Sequence, residues 1–349
     1  MIGIDLFAGA GGMSLGATQA GIDVRTAVEA DRHAAATYSA NHPHTKTIVD
    51  DIRNVKEINV TTNGEARIIF GGPPCQGFST SNQRTRNAQN ADNWLFREYI
   101  RIVKLWKPDW VVFENVKGMV ETEGGIFLES VLKQLRRAGY TTSWWILDAS
   151  DFGAPQKRKR LFVIGSLHGR TVEKPEPTVS KCTTVRQAIS DLPDLPNGAL
   201  FNWMKYKPIR PSNYAKRMRG DFTQSPNHVV TRNASHIIDR YGYIPQGGNW
   251  ENIPARLMKN YTDRNRCHTG IYHRIREDEP SVVIGNYRKN MLIHPNQNRG
   301  LSVREAARLQ SFPDWYEFKG SIGFQQQQVG NAVPPLLAEK VFTSILSYG

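Results

Sequence analysis

Cysteine is scarce in this chain: Cys75, Cys182 and Cys267 are the only three in 349 residues. Their odd number and wide spacing exclude a disulfide framework and a cysteine metal cluster, and suit a reducing compartment. No apolar run approaches the roughly eighteen residues that a membrane-spanning helix requires. There is no internal repeat, and the first strand pattern starts at Ile2, leaving no room for a secretory or transit leader. The expectation is a cytoplasmic, stand-alone protein. With 39% hydrophobic residues, the chain has enough apolar surface for a proper core in one large domain or two.

Negative charge is the second shortage. Residues 181–300 hold 19 Lys and Arg against 9 Asp and Glu, while 1–180 hold 22 against 19 and 301–349 hold 4 against 4. Most of the net charge of +13 therefore falls in one segment. Between positions 205 and 219 there is no acid, and Lys205, Lys207, Arg210, Lys216, Arg217 and Arg219 are interleaved with Tyr206 and Tyr214. Basic side chains at that density neutralise phosphates and steer a protein to nucleic acid. A solvated basic face is the plainer reading of such a run.

Apolar stretches at 2–7, 24–28, 68–70, 110–113, 143–147 and 161–164 predict strands, and periodic patterns at 13–20, 97–105 and 128–138 predict helices. Their alternation implies a doubly wound α/β architecture with a parallel sheet, whose ligands bind beyond the carboxyl ends of the strands. Gly9, Glu29, Cys75 and Glu114 all fall at or just past such ends. Residues 148–156 leave no space for a helix and read as a hairpin-like connection, while 173–177 are rich in proline and charge, as in a hinge. The segment 184–298, rich in Gly, Pro, Asn and Arg with few periodic runs, predicts a smaller, irregular domain.

Three points along that framework carry chemistry. The first strand runs into Asp5-Leu6-Phe7-Ala8-Gly9-Ala10-Gly11-Gly12 and then a helix, a nucleotide-type turn. Ser14 stands where the dinucleotide fingerprint counted from Gly9 demands Gly or Ala, so a nicotinamide site fails; the glycines could equally serve close helix–strand packing. Glu29, about twenty residues on, occupies the place where an acid accepts ribose hydroxyls. Further along, Gly71-Gly72-Pro73-Pro74-Cys75-Gln76 follows an apolar strand: the glycines permit a sharp turn and the prolines fix φ near −65°, so Cys75 is presented from a stiff platform. The thiolate is the reactive form and needs electropositive surroundings, whereas a buried structural cysteine is the bland alternative. Glu114 directly follows the apolar 110–113, and burial there predicts a raised pKa.

In order, D-L-F-A-G-A-G-G at 5–12, P-P-C-Q at 73–76, E-N-V at 114–116, Q-K-R-K-R at 156–160, R-G-L-S-V-R-E-A-A-R-L-Q at 299–310 and Q-V-G-N-A-V-P-P at 328–335 resemble six motifs of the DNA cytosine-5 methyltransferases, prokaryotic modification type. The matches run from residue 2 to about 341 and leave 170–298 without a family signature. The resemblance implies a Rossmann-like S-adenosylmethionine-dependent methyltransferase domain at 1–178 and 322–349. A target-recognition domain at 179–321 would read DNA within about 184–298, and the last helix, about 335–346, would fold back onto the N-terminal domain.

By the same resemblance, Cys75 attacks carbon 6 of a flipped cytosine, Glu114 sits against ring nitrogen 3 and the exocyclic amine, and Arg158 and Arg160, alternating along a strand, hold the pocket. Lys157 and Lys159 on the opposite face could contact phosphate. S-adenosylmethionine, leaving as S-adenosylhomocysteine, would be met by Phe7, Gly9 and Gly11, by Glu29 at the ribose, by Asp51 and Ile52 at the adenine, and by Pro74, Leu95 and Asn331. No metal is implied. Ala30 departs from relatives that stack an aromatic on adenine. Residues 80–93 resemble the mobile active-site loop; Ser79, Arg84, Arg86, the six basic residues of 205–219 and Arg274 would contact double-stranded DNA. Gln246-Gly-Gly-Asn-Trp250 and His273-Arg274 are base readers by composition alone, with turn and packing roles as the alternative. A monomer without membrane contact, nucleoid-associated and paired with a cognate restriction or defence nuclease, completes the expectation. A tRNA-directed member of the family would share every motif but lacks so long and basic a variable segment.

Overall fold

Strand β1, Ile2–Leu6, is buried along its whole length, as the central strand of a parallel sheet must be when helices cover both faces. The computed structural model describes residues 1–74, 95–258, 270–285, 287 and 292–348. Six further strands join β1: β2 Asp23–Val28, β3 Lys46–Ile48, β4 Arg67–Gly71, β5 Trp110–Val116, β6 Thr141–Asp148 and β7 Lys159–Ser166, in the order β3-β2-β1-β4-β5-β7-β6. The first five are mutually parallel. Strand β7 runs antiparallel to both β5 and β6, so the short connection predicted at 148–156 closes a hairpin and the sheet is not wholly parallel. The strand order reverses between β1 and β4, the place where doubly wound sheets open a ligand crevice.

Helices follow from apolar spacing. In the first half they are α1 Gly12–Gln19, α2 Arg32–Asn41, α3 Phe96–Trp106, α4 Gly118–Glu121 and α5 Ile126–Arg137. In α3 the buried Phe96, Tyr99, Ile100 and Val103 recur at helical intervals, and α5 buries Phe127, Leu128, Val131, Leu132 and Leu135. These side chains pack with Ile4, Leu6, Ile69, Val111 and Phe113 of the sheet in one core. At roughly 1.5–3 kcal/mol per buried large side chain, that packing holds helices that would be marginal alone. In the first half the sequence patterns leave β3, α2 and α4 unpredicted: β3 is only three residues long and α4 four, and α2 buries little beyond small residues and Tyr38. Asp31 starts α2 by accepting the backbone N–H groups of His33 (2.8 Å) and Ala34 (3.0 Å).

The chain divides into two compact units, one of 1–152, 158–178 and 333–349, the other of 153–157 and 179–332. The second contains α6 Val185–Ile189, α7 Asn213–Arg219, α8 Ser235–Tyr241, α9 Val303–Leu309 and α10 Ile322–Asn331. The sequence reading placed α10 with the first unit; the return begins later, at Val333, and brings only α11, Pro335–Leu346. Helix α11 lies against α1 so closely that a Cβ on Gly16 would meet Ala338 Cβ and Glu339 N at 2.6 Å, and Phe342 packs edge-on against Phe70 of β4 at 4.9 Å. The predicted return of the last helix is thus observed.

The second unit combines apolar clusters, one of them around Tyr241, Ile244, Tyr272 and Ile293, with a buried ionic network. Ser302 and Glu305 form a capping box at the start of α9. Buried Arg299 pairs with Glu305 at 2.7 Å, and buried Arg308 pairs with Asp314 at 2.6 Å and Asp191 at 3.1 Å. The arginines hold the Glu305 and Asp314 carboxyls below their ordinary pKa range despite burial. The 299–310 motif therefore builds an ionic core, whose loss of one partner costs about 3–5 kcal/mol.

Candidate active site

The glycine turn after β1 is shaped by backbone conformation. Phe7 (φ 60°), Gly9 (φ 56°) and Gly11 (φ 86°) all lie in the left-handed region, which for Phe7 is a strained setting of the kind that accumulates at functional turns. Nothing lies within 4 Å of the place a Cβ on Gly9 would take, so the turn borders open space. Glu29, at the end of β2, accepts the Gly9 N–H and the Asp31 N–H, each at 2.7 Å. Burial raises its pKa while those two donors oppose the rise. Ser14 is buried, donates to Asp5 Oδ2 at 2.6 Å and lies 2.7 Å from the Tyr38 hydroxyl. The residue that excluded a nicotinamide site thus serves a buried polar chain, in which desolvation pushes the Asp5 carboxyl up to about 8.

Around this turn, Phe7, Ile52 and Leu95 belong to or flank the same apolar core. Asp51, expected at the adenine, is ion-paired. Both its oxygens are engaged by Arg53, Nε at 2.9 Å and Nη2 at 2.5 Å, which lowers its pKa to about 2. Arg53 was missed in the sequence, although an Asp and an Arg two residues apart in a turn are its signal. The predicted cofactor residues of the first unit fit a nucleoside ligand: a carboxylate fixed beneath a glycine turn, open space above it, and apolar side chains alongside. Pro74 is exposed, and Asn331 is the exposed last residue of α10 in the second unit. Among the described residues no group of three His, Cys, Asp or Glu is placed to hold a metal.

The second cluster forms at the carboxyl end of β5. Glu114 is buried and meets Arg160 Nε at 2.9 Å. Register explains the pair: Val116 of β5 faces Arg160 of β7, and Glu114, two residues back on the same side, is its diagonal neighbour. Arg158 is buried beside them; burial, then the charge of Arg160, push its pKa down, and Glu114 pulls it up. The Glu114 pKa is raised, burial outweighing the two arginines, which matches the sequence expectation.

Glycines at the foot of the Pro-Pro segment do something other than turn. Neither Gly71 nor Gly72 has a positive φ. A Cβ on Gly71 would strike the carbonyl of Leu6, and one on Gly72 would strike Glu114 Oε2. Their need is close approach, to the neighbouring strand and to the carboxylate. Asn115 donates to the Pro73 carbonyl at 3.2 Å, and its Oδ1 accepts the Val116 N–H at 2.9 Å. Cys75 itself, with Ser79, Arg84 and Arg86, lies outside the described residues.

The basic residues of the second unit separate into two groups. Lys205, Arg210, Lys216 and Arg217 are exposed. Lys207 pairs with Asp194 at 2.7 Å, and Arg219 pairs with Asp191 at 2.7 Å and stacks over Tyr206 at 3.9 Å. Arg274, expected at DNA, is buried: it donates to the carbonyls of Ile244, Tyr241, His294 and Gln297 and to Asn298 Oδ1, at 2.6–3.0 Å. Five acceptors saturate the guanidinium, so Arg274 is a packing residue and the DNA assignment is corrected. Gln246, half-buried, donates to Asn296 Oδ1 at 2.8 Å and accepts the Glu277 N–H at 3.0 Å.

Comparison with known proteins agrees with this arrangement. The sequence profile described as C-5 cytosine-specific DNA methylase matches residues 1–347. The chain is 36% identical over 348 residues to the Type II methyltransferase M1.HphI of Haemophilus parahaemolyticus, covering 98% of this chain and 86% of that protein. It is 34% identical over 370 residues to the Type II methyltransferase M.DdeI of Desulfomicrobium norvegicum, covering 99% and 88%. Among solved structures, a prophage-encoded E. coli protein described as a putative DNA modification methyltransferase superposes with a TM-score of 0.78 at 25% identity, over 99% of both chains. By its motifs, its sheet order and this match along nearly its whole length, the chain belongs to the C-5 cytosine-specific DNA methylase family.

Proposed function

We propose that this chain methylates carbon 5 of one cytosine in a short duplex DNA site, after that base swings out of the helix and Cys75 adds to its carbon 6. The observation that carries the reading is the buried Glu114–Arg160 pair, packed against Gly72 at the root of the Pro73-Pro74-Cys75 segment. Carbon 5 is a poor nucleophile until electrons enter the ring. Attack by the Cys75 thiolate forms a carbon–sulfur bond and drives the ring electrons toward carbon 5 and nitrogen 3. Burial raises the pKa of Glu114, which suits its carboxyl to sharing a proton at nitrogen 3, and Arg160 holds the carboxyl in place. Arg158, also cationic, favours the thiolate and the developing charge. Once carbon 5 carries the methyl group, its proton passes to solvent, the carbon–sulfur bond breaks with its electrons returning to the Cys75 thiolate, and the ring double bond is restored.

When bound, S-adenosylmethionine supplies the methyl group that carbon 5 accepts. Glu29 would take its ribose hydroxyls, Phe7, Gly9 and Gly11 its tail, Asp51 and Ile52 its adenine, with Pro74, Leu95 and Asn331 completing the contacts. Asp51 Oδ2, which among the described residues accepts only Arg53 Nη2, keeps acceptor capacity for the adenine amino group. Extruding the base costs a few kcal/mol, which contacts from the basic second unit offset. The similarity to Type II methyltransferases supports a role in restriction-modification, marking DNA against a nuclease of the same specificity. The similarity to Type II DNA methyltransferases, and a variable segment longer and more basic than that of the family's tRNA-directed branch, favour DNA over tRNA as substrate.

Mapping 5-methylcytosine in DNA from cells expressing the protein tests the reading: one short motif should be methylated, and Cys75→Ala should abolish the signal. Duplexes with 5-fluorocytosine at that motif should become covalently linked to the protein. Background methylation from soundly folded protein would overturn the activity, and full turnover by the Cys75→Ala variant would overturn the covalent route.

A further inference from the structure

Residues 200–229 carry exposed apolar surface that the chemistry above does not use. Leu200–Phe201 pairs antiparallel with His228–Val229, and Met204–Lys205 with Gln224–Ser225. Leu200 faces Val229, Phe201 faces His228, Met204 faces Ser225 and Lys205 faces Gln224, so both ladders keep one register. They form a single two-stranded ribbon, interrupted at 202–203 and 226–227. The inner strand is anchored: Ser225, Asn227 and His228 are buried, and Asn227, with φ 66°, exchanges hydrogen bonds with both backbone groups of Phe318 at 2.9 Å. The outer strand faces solvent. Leu200 is 73% exposed, Phe201 47% and Trp203 41%, and Lys205 is exposed as well. Phe201, Trp203 and Lys205 are thus exposed within five consecutive residues of this outer segment.

Single exposed aromatics are ordinary, but a run of them is not. The chain runs directly on from this segment into the fifteen residues 205–219, which contain no acid and expose Arg210 and Lys216. A second copy of this chain would bring like charge against that rim. Duplex DNA satisfies both halves of the surface, because its phosphates flank flat, apolar base faces that aromatic side chains stack on or wedge between.

We propose that the outer strand of this ribbon is a DNA-contacting edge, in which Phe201 and Trp203 pack on or between bases while Lys205 and Arg210 bind the flanking phosphates. The inference rests on the DNA reading above and adds the surface and the mode of contact. Full-length protein would be titrated with a fluorescein-labelled duplex of mixed sequence across a salt series. The F201A/W203A variant should lose about tenfold in affinity with its salt slope unchanged, and K205A/R210A should reduce the slope of log K against log salt by about two. Both should retain the wild-type thermal midpoint and S-adenosylmethionine affinity. Oxidative footprinting of the unmodified protein gives a readout that needs no variant: Trp203 should react when free and be protected by the duplex. Wild-type affinity in F201A/W203A, or Trp203 reactivity unchanged by DNA, overturns the proposal; so does a change in sedimentation of F201A/W203A at unchanged DNA affinity, which marks a self-association surface. Binding is read without turnover, so the absence of methylation would defeat the enzymatic reading and leave this result interpretable.

Discussion

The side-chain amide of Asn115 reaches back 3.2 Å to the carbonyl of Pro73, two residues before Cys75. A residue at the end of β5 thereby ties down the strand-exit segment of β4, beside the carboxylate of Glu114. Asn115→Ala would leave a buried carbonyl without that donor, at a cost of about 1–3 kcal/mol. The expected outcome is a lower kcat with unchanged S-adenosylmethionine affinity, measured by single-turnover methylation and calorimetry. A wild-type kcat would remove Asn115 from the positioning of Cys75.

Gly72→Ala and Gly71→Ala should fail in different ways. The Gly72 substituent meets the movable end of Glu114, so the protein should fold with Glu114 displaced from Arg160 and turnover reduced about a hundredfold. The Gly71 substituent meets the backbone of Leu6 inside the sheet, so soluble yield and thermal midpoint should collapse. Circular dichroism melts with activity assays separate the two outcomes.

Glu114 has a raised pKa, so its protonated form persists above the ordinary range and is lost as pH rises through the raised value. Turnover that depends on that proton should decline along the same alkaline limb. Glu114→Gln keeps a donor but gives up no proton; it should lower kcat about a hundredfold or more and flatten the limb. A pH–rate profile of single-turnover methylation is the check, and an unchanged limb in the variant would assign it to another group.

Arg274 and Arg210 look alike in sequence and should behave oppositely. Arg274→Ala exposes five carbonyl acceptors in the core of the second unit and should cost about 3–5 kcal/mol of stability. Arg210→Ala should leave stability within about 0.5 kcal/mol and weaken DNA binding with a smaller salt slope. Denaturant titration and anisotropy across a salt series measure the two effects.

Stability should fall on acidification well before the carboxylates titrate. His42, His228 and His294 are buried with pKa values lowered to about 4, from 6.5 when unfolded. As pH drops below 6.5 the unfolded chain gains protons that the folded chain refuses, and the loss levels off near pH 4, at about 3 kcal/mol per histidine. Asp5 acts in the other direction: its folded pKa of about 8 means that its contribution grows as pH falls from 8 toward 4. Urea unfolding at pH 7 and pH 5 should show the net decrease. His228→Gln should shrink it and Asp5→Asn should enlarge it.

Much of the fold is legible where one interaction dominates locally. Long apolar runs mark β1, β4 and β5, helical spacing marks α3 and α5, and the brevity of 148–156 requires a hairpin. Strand β3 and helix α2 escape because three residues and a small-residue face leave almost no periodic signal. The roles of Gly71 and Gly72 were misread for a related reason: a glycine needed for φ and one needed for clearance look the same in a string of letters.

The sequence by itself determined the family, the order of the motifs and the side chains proposed to carry the chemistry, because those depend on residue type and spacing along the chain. Only the tertiary structure decided which charges are available. Arg274 and Arg219 read as DNA contacts until Arg274 is found saturated by carbonyls and Arg219 clasped by Asp191 and Tyr206. The physical reason is that a charge acts through what surrounds it. Those neighbours are gathered from distant parts of the chain, as Glu114 and Arg160 are gathered by the register of two antiparallel strands.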